Sequence, residues 1–405
     1  MGVFGVTGVG ATDVTPTFAQ LTTMRVGGPA QHLVTAQSED ELIAIARDAY
    51  ASGDDVLLLG GGSNTIVCDD GFEGTVIRIA TRGMERVGSD GPGRQDAVRL
   101  RVQAGESWDG LVALAVRNRW AGIEALSGIP GSVGAAPVQN IGAYGQELSS
   151  VLVAVDFLDA ASGDVRRMTA SDLELGYRTS VLKRGLQGVV IAVEIELEQR
   201  PDVGAALGEP VAYAQLANAL AVDVGTQVSL GEGRRTVLSL RESKGMVLDP
   251  DDPDSVSAGS FFTNPIVSTR FAHTLPADAP RWPLVAEEPD LVAPLDASRA
   301  EESQVVGLMA DAAVDRERRR AHTESAGPGV KLSAAWLIEQ AGIRRGFALP
   351  GSGAAISSKH TLAITNRGGA SAYEVAQLAS YVQGRVQAEF GVLLHPEPVL
   401  VGLEL

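Results

Sequence analysis

Residues 128–147 read GIPGSVGAAPVQNIGAYGQE. Glycine recurs throughout, two prolines interrupt the run, and the only charge is the terminal acid. Neither a regular helix nor a regular strand suits that composition. Glycine adds backbone freedom that ordering must remove, and proline lacks an amide donor. A long uncharged Gly/Pro/Ala stretch inside a globular chain suits wrapping a guest. Main-chain N–H groups along it fit a flat, phosphate-bearing cofactor. A purely structural loop is the competing reading.

Upstream, Ser38–Glu41 forms a capping box for a helix with Leu42, Ile43, Ala46 and Tyr50 on one face. The apolar run Val56–Leu59 reads as a buried strand and stops at Gly60-Gly61-Gly62-Ser63-Asn64, a second anion cradle. Further strands are expected at 75–79 and 98–104, then a helix over 108–120. Downstream of the long loop, strands are expected at 151–158 and 189–197, with a hairpin-like turn at Ala161–Asp164 between them. No strand-linked G-x-G-x-x-G and no G-x-x-x-x-G-K-[ST] occurs, so neither a dinucleotide-fold nor a P-loop reading holds. Two glycine cradles in one α+β half suggest a pyrophosphate gripped from both sides, as in a flavin dinucleotide.

The 405 residues allow two or three domains. A net charge of −17 argues against a general nucleic-acid binder, whose partner demands a basic surface. The single cysteine, Cys68, can form no internal disulfide and fits a reducing cytosol. No secretory leader or membrane-length apolar run is read, and the five histidines show no metal spacing, so no metal is expected. Residues 200–210 read as a linker, and new structure begins at 236–241. Five prolines and many acids over 276–294 read as an irregular, exposed insertion. A second capping box, Ser371–Glu374, opens a helix carrying Val375, Leu378, Val382, Val386 and Phe390, with Gly391 as its stop. A last strand is expected at 399–403.

Several side chains could carry chemistry. Ser260, in Gly259-Ser-Phe-Phe-Thr-Asn-Pro265, could give a proton to a carbanion or enol, or be a turn serine. No G-x-S-x-G elbow surrounds it, which argues against a hydrolase nucleophile. Arg178, beside Tyr177 and Ser180, could clamp a carboxylate or be a solvated surface residue. Glu397 sits between two prolines that can aim it, or is an exposed loop acid. Lys244 and Tyr213 are candidate phosphate contacts, against the readings of surface lysine and core tyrosine. Asn264 and Gln340 suit polar anchoring in a pocket. His360 and Asn366 flank a buried strand and could be structural.

Seven ordered segments give the chain a family resemblance. They are Thr23-Met-Arg-Val-Gly-Gly28, Gly60–Asn64, Gly128–Glu147, Tyr177–Ser180, Gly259–Pro265, Ser333–Gly342 and Pro396-Glu397. Over about residues 22–402 the chain resembles the UDP-N-acetylenolpyruvoylglucosamine reductases, flavoenzymes of peptidoglycan precursor synthesis. The resemblance implies an α+β fold. A PCMH or vanillyl-alcohol-oxidase-type FAD-binding domain would span 17–200, with subdomains 17–80 and 81–200. A smaller α+β substrate domain would span 205–405, with an insertion at 267–329.

It also implies non-covalent FAD, NADPH as hydride donor, and reduction of UDP-N-acetylglucosamine enolpyruvate. Ser260 would protonate the enol, and Arg178 and Glu397 would flank the enolpyruvyl carboxylate. The implied cofactor contacts are Gly60, Gly61, Gly62, Ser63, Asn64, Gly128, Ile129, Pro130, Gly131, Ser132, Gly134, Ala135, Asn140, Gly142, Ala143 and Tyr144. The implied substrate contacts are Tyr213, Lys244, Asn264 and Gln340, with Tyr213 matching the longer family type whose tyrosine closes over the substrate diphosphate. The expected state is a cytoplasmic monomer with no nucleic-acid or membrane partner. The alternative is an FAD-dependent alcohol or lactone oxidase of the same cofactor fold. That class often links its flavin through His or Cys, for which only His32 and Cys68 lie nearby.

Overall fold

Ser38 caps the helix Glu39–Ser52 by accepting from the Glu41 N–H, and three acids occupy the first turn, where the helix dipole favours them. Leu42, Ala46 and Ala49 bury the inner face. The computed structural model describes residues 15–88, 96–201, 203–284 and 329–405. This helix contacts a parallel sheet in the order Ala30–Ala36, Phe72–Ile79, Val56–Leu59. A second, antiparallel sheet runs Val165–Thr169, Leu152–Asp159, Gly188–Gln199, Ala97–Gln103, Met84–Val87. Its core includes Leu100, Val112, Phe157, Val193 and Ile195, covered by the helix Trp108–Arg117.

Three local expectations need correction. The Ala161–Asp164 turn joins 152–159 to the unanticipated strand Val165–Thr169, and Gly188–Gln199 pairs on the other side. The helix from Trp108 stops at Arg117, and Trp120 lies in a short strand after the left-handed Arg119. The Gly128–Glu147 stretch is not wholly irregular. It holds a 3-10 helix, Val133–Gln139, and a small hairpin, Gly142–Ala143 with Gln146–Glu147. Its internal Pro137 would break an α-helix and is accommodated in this seven-residue 3-10 run.

The chain divides into two compact units. The first holds residues 1–261, 345–380 and 396–405; the second holds 262–344 and 381–395. This division does not follow the expected break at 200–205. The helix Leu230–Glu242 contacts both Trp108–Arg117 and Glu124–Leu126, which keeps the following segment with the first unit. The last strand, Val399–Val401, pairs in parallel with Thr65–Val67 directly after the first glycine loop.

In the second unit the described part of the expected insertion is ordered in pieces. Ile266–Ser268 and Arg281–Pro283 flank Gly329–Leu332 in an antiparallel sheet, and Thr269–Ala272 is a helical turn. Arg281–Pro283 is an edge strand, which accepts proline at the cost of one ladder donor. Residues 285–294 of the proline-rich stretch lie outside the described residues.

Candidate active site

Two glycine loops meet at backbone distance. A Cβ on Gly61 would stand 2.8 Å from Gly131 Cα, so any side chain there would drive the loops apart. Ser63 Oγ donates to Pro130 O at 3.2 Å and ties the loops together. Among the described residues, the N–H groups of Gly61, Gly62, Ser63, Ile129 and Gly131 have no protein acceptor. Unpartnered amide donors on two abutting loops fit an anionic group such as a pyrophosphate. Both loops line a cavity of about 860 Å³, within the range of cofactor and ligand pockets.

Arg178, Ser260 and Glu397 line the same cavity, and all three belong to the first unit. Arg178 sits in the tight Gly176–Thr179 turn with φ +54°, a left-handed conformation that costs energy for a side-chain-bearing residue. Its guanidinium donates to Asn140 O at 3.1 Å and Gly142 O at 2.7 Å. Its Nε lies 3.4 Å from Glu397 Oε1. Ser260 follows Gly259, whose φ of +75° serves the turn, since a Cβ there would meet open space. Phe261, buried beside it, donates to Leu362 O at 2.7 Å and accepts from the Glu397 N–H at 2.8 Å. No described residue hydrogen-bonds the Ser260 hydroxyl.

A polar network surrounds Glu397. Gln139 Nε2 donates to Glu397 Oε1 at 3.1 Å. The Gln139 carbonyl accepts from Asn64 Nδ2 and from Lys183 Nζ, each at 3.2 Å. Both donors also reach Glu397 O at 3.3 Å. Burial pushes the Glu397 carboxyl above its usual range, against the lowering pull of Arg178, Lys183 and Gln139. Burial also lowers the Lys183 ammonium; Glu397 opposes that and Arg178 adds to it. Lys183 and Gln139 were not singled out from sequence. The available signal was a lysine five residues beyond Arg178 and an amide inside an otherwise apolar loop.

Residues 251–401 match the profile described as UDP-N-acetylenolpyruvoylglucosamine reductase, C-terminal domain, and residues 30–169 match an FAD binding domain. A protein of that reductase name from Leifsonia xyli subsp. xyli is 62% identical over 394 residues, covering 96% of this chain and 99% of the relative. The chain belongs to the UDP-N-acetylenolpyruvoylglucosamine reductase family. The reductase-named relative from Saccharopolyspora erythraea is 46% identical over 96% of this chain and 95% of its own length. The crystal structure of the reductase from Thermus caldophilus superposes with a TM-score of 0.57 at 25% identity, covering 96% of this chain and 98% of that one. The architecture is the α+β fold expected of the family, a PCMH-type FAD-binding domain followed by the family's C-terminal domain.

For this member of the reductase family, most expected cofactor residues line the cavity: Gly60 to Asn64, Ile129 to Ser132, Gly134, Ala135 and Gly142. Four do not. The Gly128 N–H donates to Asp109 Oδ1 at 2.6 Å, and a Cβ there would meet Leu238 at 2.8 Å, so this glycine serves helix packing. Asn140 is buried and spends its amide on Glu147 and Gly176 O, which anchors the Arg178 turn. Ala143 packs against the core of the antiparallel sheet. Tyr144 turns away to meet Tyr213 edge-on, with ring centroids 5.9 Å apart.

Lys244 Nζ lies 5.7 Å over the Tyr144 ring and donates to Gln215 Oε1, so Tyr144, Tyr213 and Lys244 form a separate cluster. Asn264 and Gln340 belong to the second unit, where Asn264 Oδ1 accepts from the Ala334 N–H at 2.9 Å. Arg241 was missed. It is buried, lines the cavity, and its Nε has no partner among the described residues. Neither His32 nor Cys68 lines the cavity, and Cys68 Sγ is turned to Gly71 O.

Proposed function

We propose that this chain catalyses the NADPH-dependent reduction of UDP-N-acetylglucosamine enolpyruvate to UDP-N-acetylmuramate on non-covalent FAD. One observation carries the reading: Arg178, Ser260 and Glu397 share a cavity with two interlocked glycine loops. FAD, when bound, passes on the hydride that NADPH supplies. The N–H groups of Gly61, Gly62, Ser63, Ile129 and Gly131 would hold its pyrophosphate. Buried Arg241 adds a positive charge to the same wall.

Arg178 holds the enolpyruvyl carboxylate and favours the negative charge that grows there as the vinyl carbon accepts hydride. Glu397 keeps the Arg178 guanidinium in place through the 3.4 Å contact. The Ser260 hydroxyl, uncommitted to any described protein group, delivers the proton to the carbon next to that carboxylate and recovers one from solvent. Tyr213 and Lys244 contact the substrate diphosphate. The reading includes a monomeric cytoplasmic enzyme, in keeping with the lone buried thiol of Cys68. No helix among the described residues is long and apolar enough to cross a membrane.

The test is anaerobic. The purified yellow protein is bleached with NADPH, and UDP-N-acetylglucosamine enolpyruvate is then added. Return of the oxidised flavin spectrum without oxygen is expected. Reoxidation by oxygen alone, with no response to this substrate, would replace the reading with the oxidase alternative.

A further inference from the structure

The segment Thr23–Gly28 is one of the family motifs, yet none of its residues lines the cavity. Thr23 instead joins two pieces of the cavity wall. Its N–H donates to Gly62 O at 3.0 Å, within the first glycine loop. Its Oγ1 donates to Ser257 O at 2.7 Å, three residues before Ser260. Ser257 Oγ in turn accepts the Gly259 N–H at 3.2 Å and so shapes the turn that presents Ser260.

The support behind Thr23 is rigid. Met24 and Val26 are buried, and Asn366 Nδ2 donates to Met24 O at 3.2 Å and Arg25 O at 3.1 Å. The Asn366 N–H also donates to Val256 O at 3.0 Å, so one asparagine holds both the Thr23 turn and the segment leading to Ser260. The close fit extends to Gly62, where a Cβ would meet Leu21 O at 2.2 Å.

The geometry points to Thr23 as a positioning residue that sets the Ser260 hydroxyl at a fixed offset from the glycine loop Gly60–Asn64. This rests on the proposed reaction, in which that offset places the proton donor against the reacting carbon. Thr23 touches neither partner of the reaction. It acts through one hydroxyl and one amide, and only the hydroxyl can be removed by substitution.

Thr23→Val keeps the amide bond to Gly62 and deletes the bond to Ser257; Thr23→Ser restores it. Stopped-flow measurement of the two half-reactions should show flavin reduction by NADPH, and FAD affinity, within about twofold of wild type for Thr23→Val. Reoxidation by UDP-N-acetylglucosamine enolpyruvate should slow by about 10- to 100-fold, the range for a displaced reacting group. The solvent deuterium effect on that half should rise as proton delivery becomes limiting, and Thr23→Ser should recover most of the rate.

Ser257→Ala keeps the Thr23 bond to the Ser257 carbonyl but deletes the next link, to the Gly259 N–H, and should reproduce the signature if the valine variant folds poorly. Amide hydrogen exchange over residues 257–261 reads the anchoring with no substrate present. Faster exchange in Thr23→Val, reversed in Thr23→Ser, is expected. Unchanged exchange, or equal slowing of both half-reactions with weakened FAD binding, overturns the proposal. If wild-type flavin fails to respond to the substrate, the proposed reaction falls, and the exchange result still decides the role of Thr23.

Discussion

Glu397 donates its backbone N–H to the carbonyl of Phe261 at 2.8 Å. The acid near the end of the chain and the residue following Ser260 are thereby locked side by side, although 136 positions separate them in sequence. The lock is reinforced from behind, where the Val399 N–H donates to Asn64 O and the strand Val399–Val401 lies along Thr65–Val67. One stretch of backbone thus aligns the glycine loop, the carboxylate and the serine.

Ser260→Ala should leave flavin reduction by NADPH nearly intact and slow reoxidation by the enolpyruvyl substrate by several orders of magnitude. That exceeds the ~10²–10⁴ usual for loss of a general acid, because no described side chain is hydrogen-bonded to Ser260 and ready to replace it. Separate rapid-mixing traces of the two halves check this. Equal losses in both would rule out a pure proton-donor role.

Gly61→Ala should cost at least about tenfold in FAD affinity, with little effect on the core. The added methyl would sit 2.8 Å from Gly131 Cα, where backbone must move to admit it. Titration of apoprotein with FAD, followed by flavin fluorescence, measures the loss. Unaltered affinity would mean that the loops are free to separate.

Lys183→Met should raise the Glu397 carboxyl further above its usual range. Lys183 is one of two cations that hold it down, Arg178 being the other, and the Gln139 amide contributes in the same sense. The sign follows from removing a positive charge beside the carboxylate, which favours the protonated form. Carboxyl-stretch infrared difference spectra across a pH series read the shift directly, and Lys183→Arg should return it toward wild type. A downward shift would show that Lys183 is not felt as a charge at Glu397.

His360 makes the fold acid-sensitive. Burial first, then Lys244, Arg345 and Arg241, push its imidazole down to about 4 from 6.5. The folded state therefore holds it neutral while the unfolded chain takes up a proton. Stability is full above about pH 6.5 and drains away as pH falls toward 4, by up to ~3 kcal/mol for this group. Urea midpoints at pH 7 and pH 5 should differ more in wild type than in His360→Gln. Matching pH dependence in the two proteins would remove His360 as the source.

The helix cap at Ser38, the strand Val56–Leu59, buried only at Leu59, and the capping box at Ser371 and Glu374 were legible because each is a local pattern of spacing and capping chemistry. Both glycine loops were legible for the same reason. Gln139, Lys183 and Arg241 were not, because an amide or cation acquires its role from partners far away in sequence. The strand Val165–Thr169 escaped because VRRMT is mostly polar and is held by pairing with Leu152–Asp159.

By itself the sequence determined most of the α+β elements and the two amide-rich loops, which are properties of residue type and local spacing; Arg178, Ser260 and Glu397 were candidates there, given roles only by the family resemblance. Only the tertiary structure decided that these three face one cavity and that the two loops interlock through Gly61 and Gly131. It also decided that Thr23 bridges the loop and the serine turn. Local propensity acts over a few residues, whereas these contacts depend on strand pairing and close packing between segments up to hundreds of positions apart.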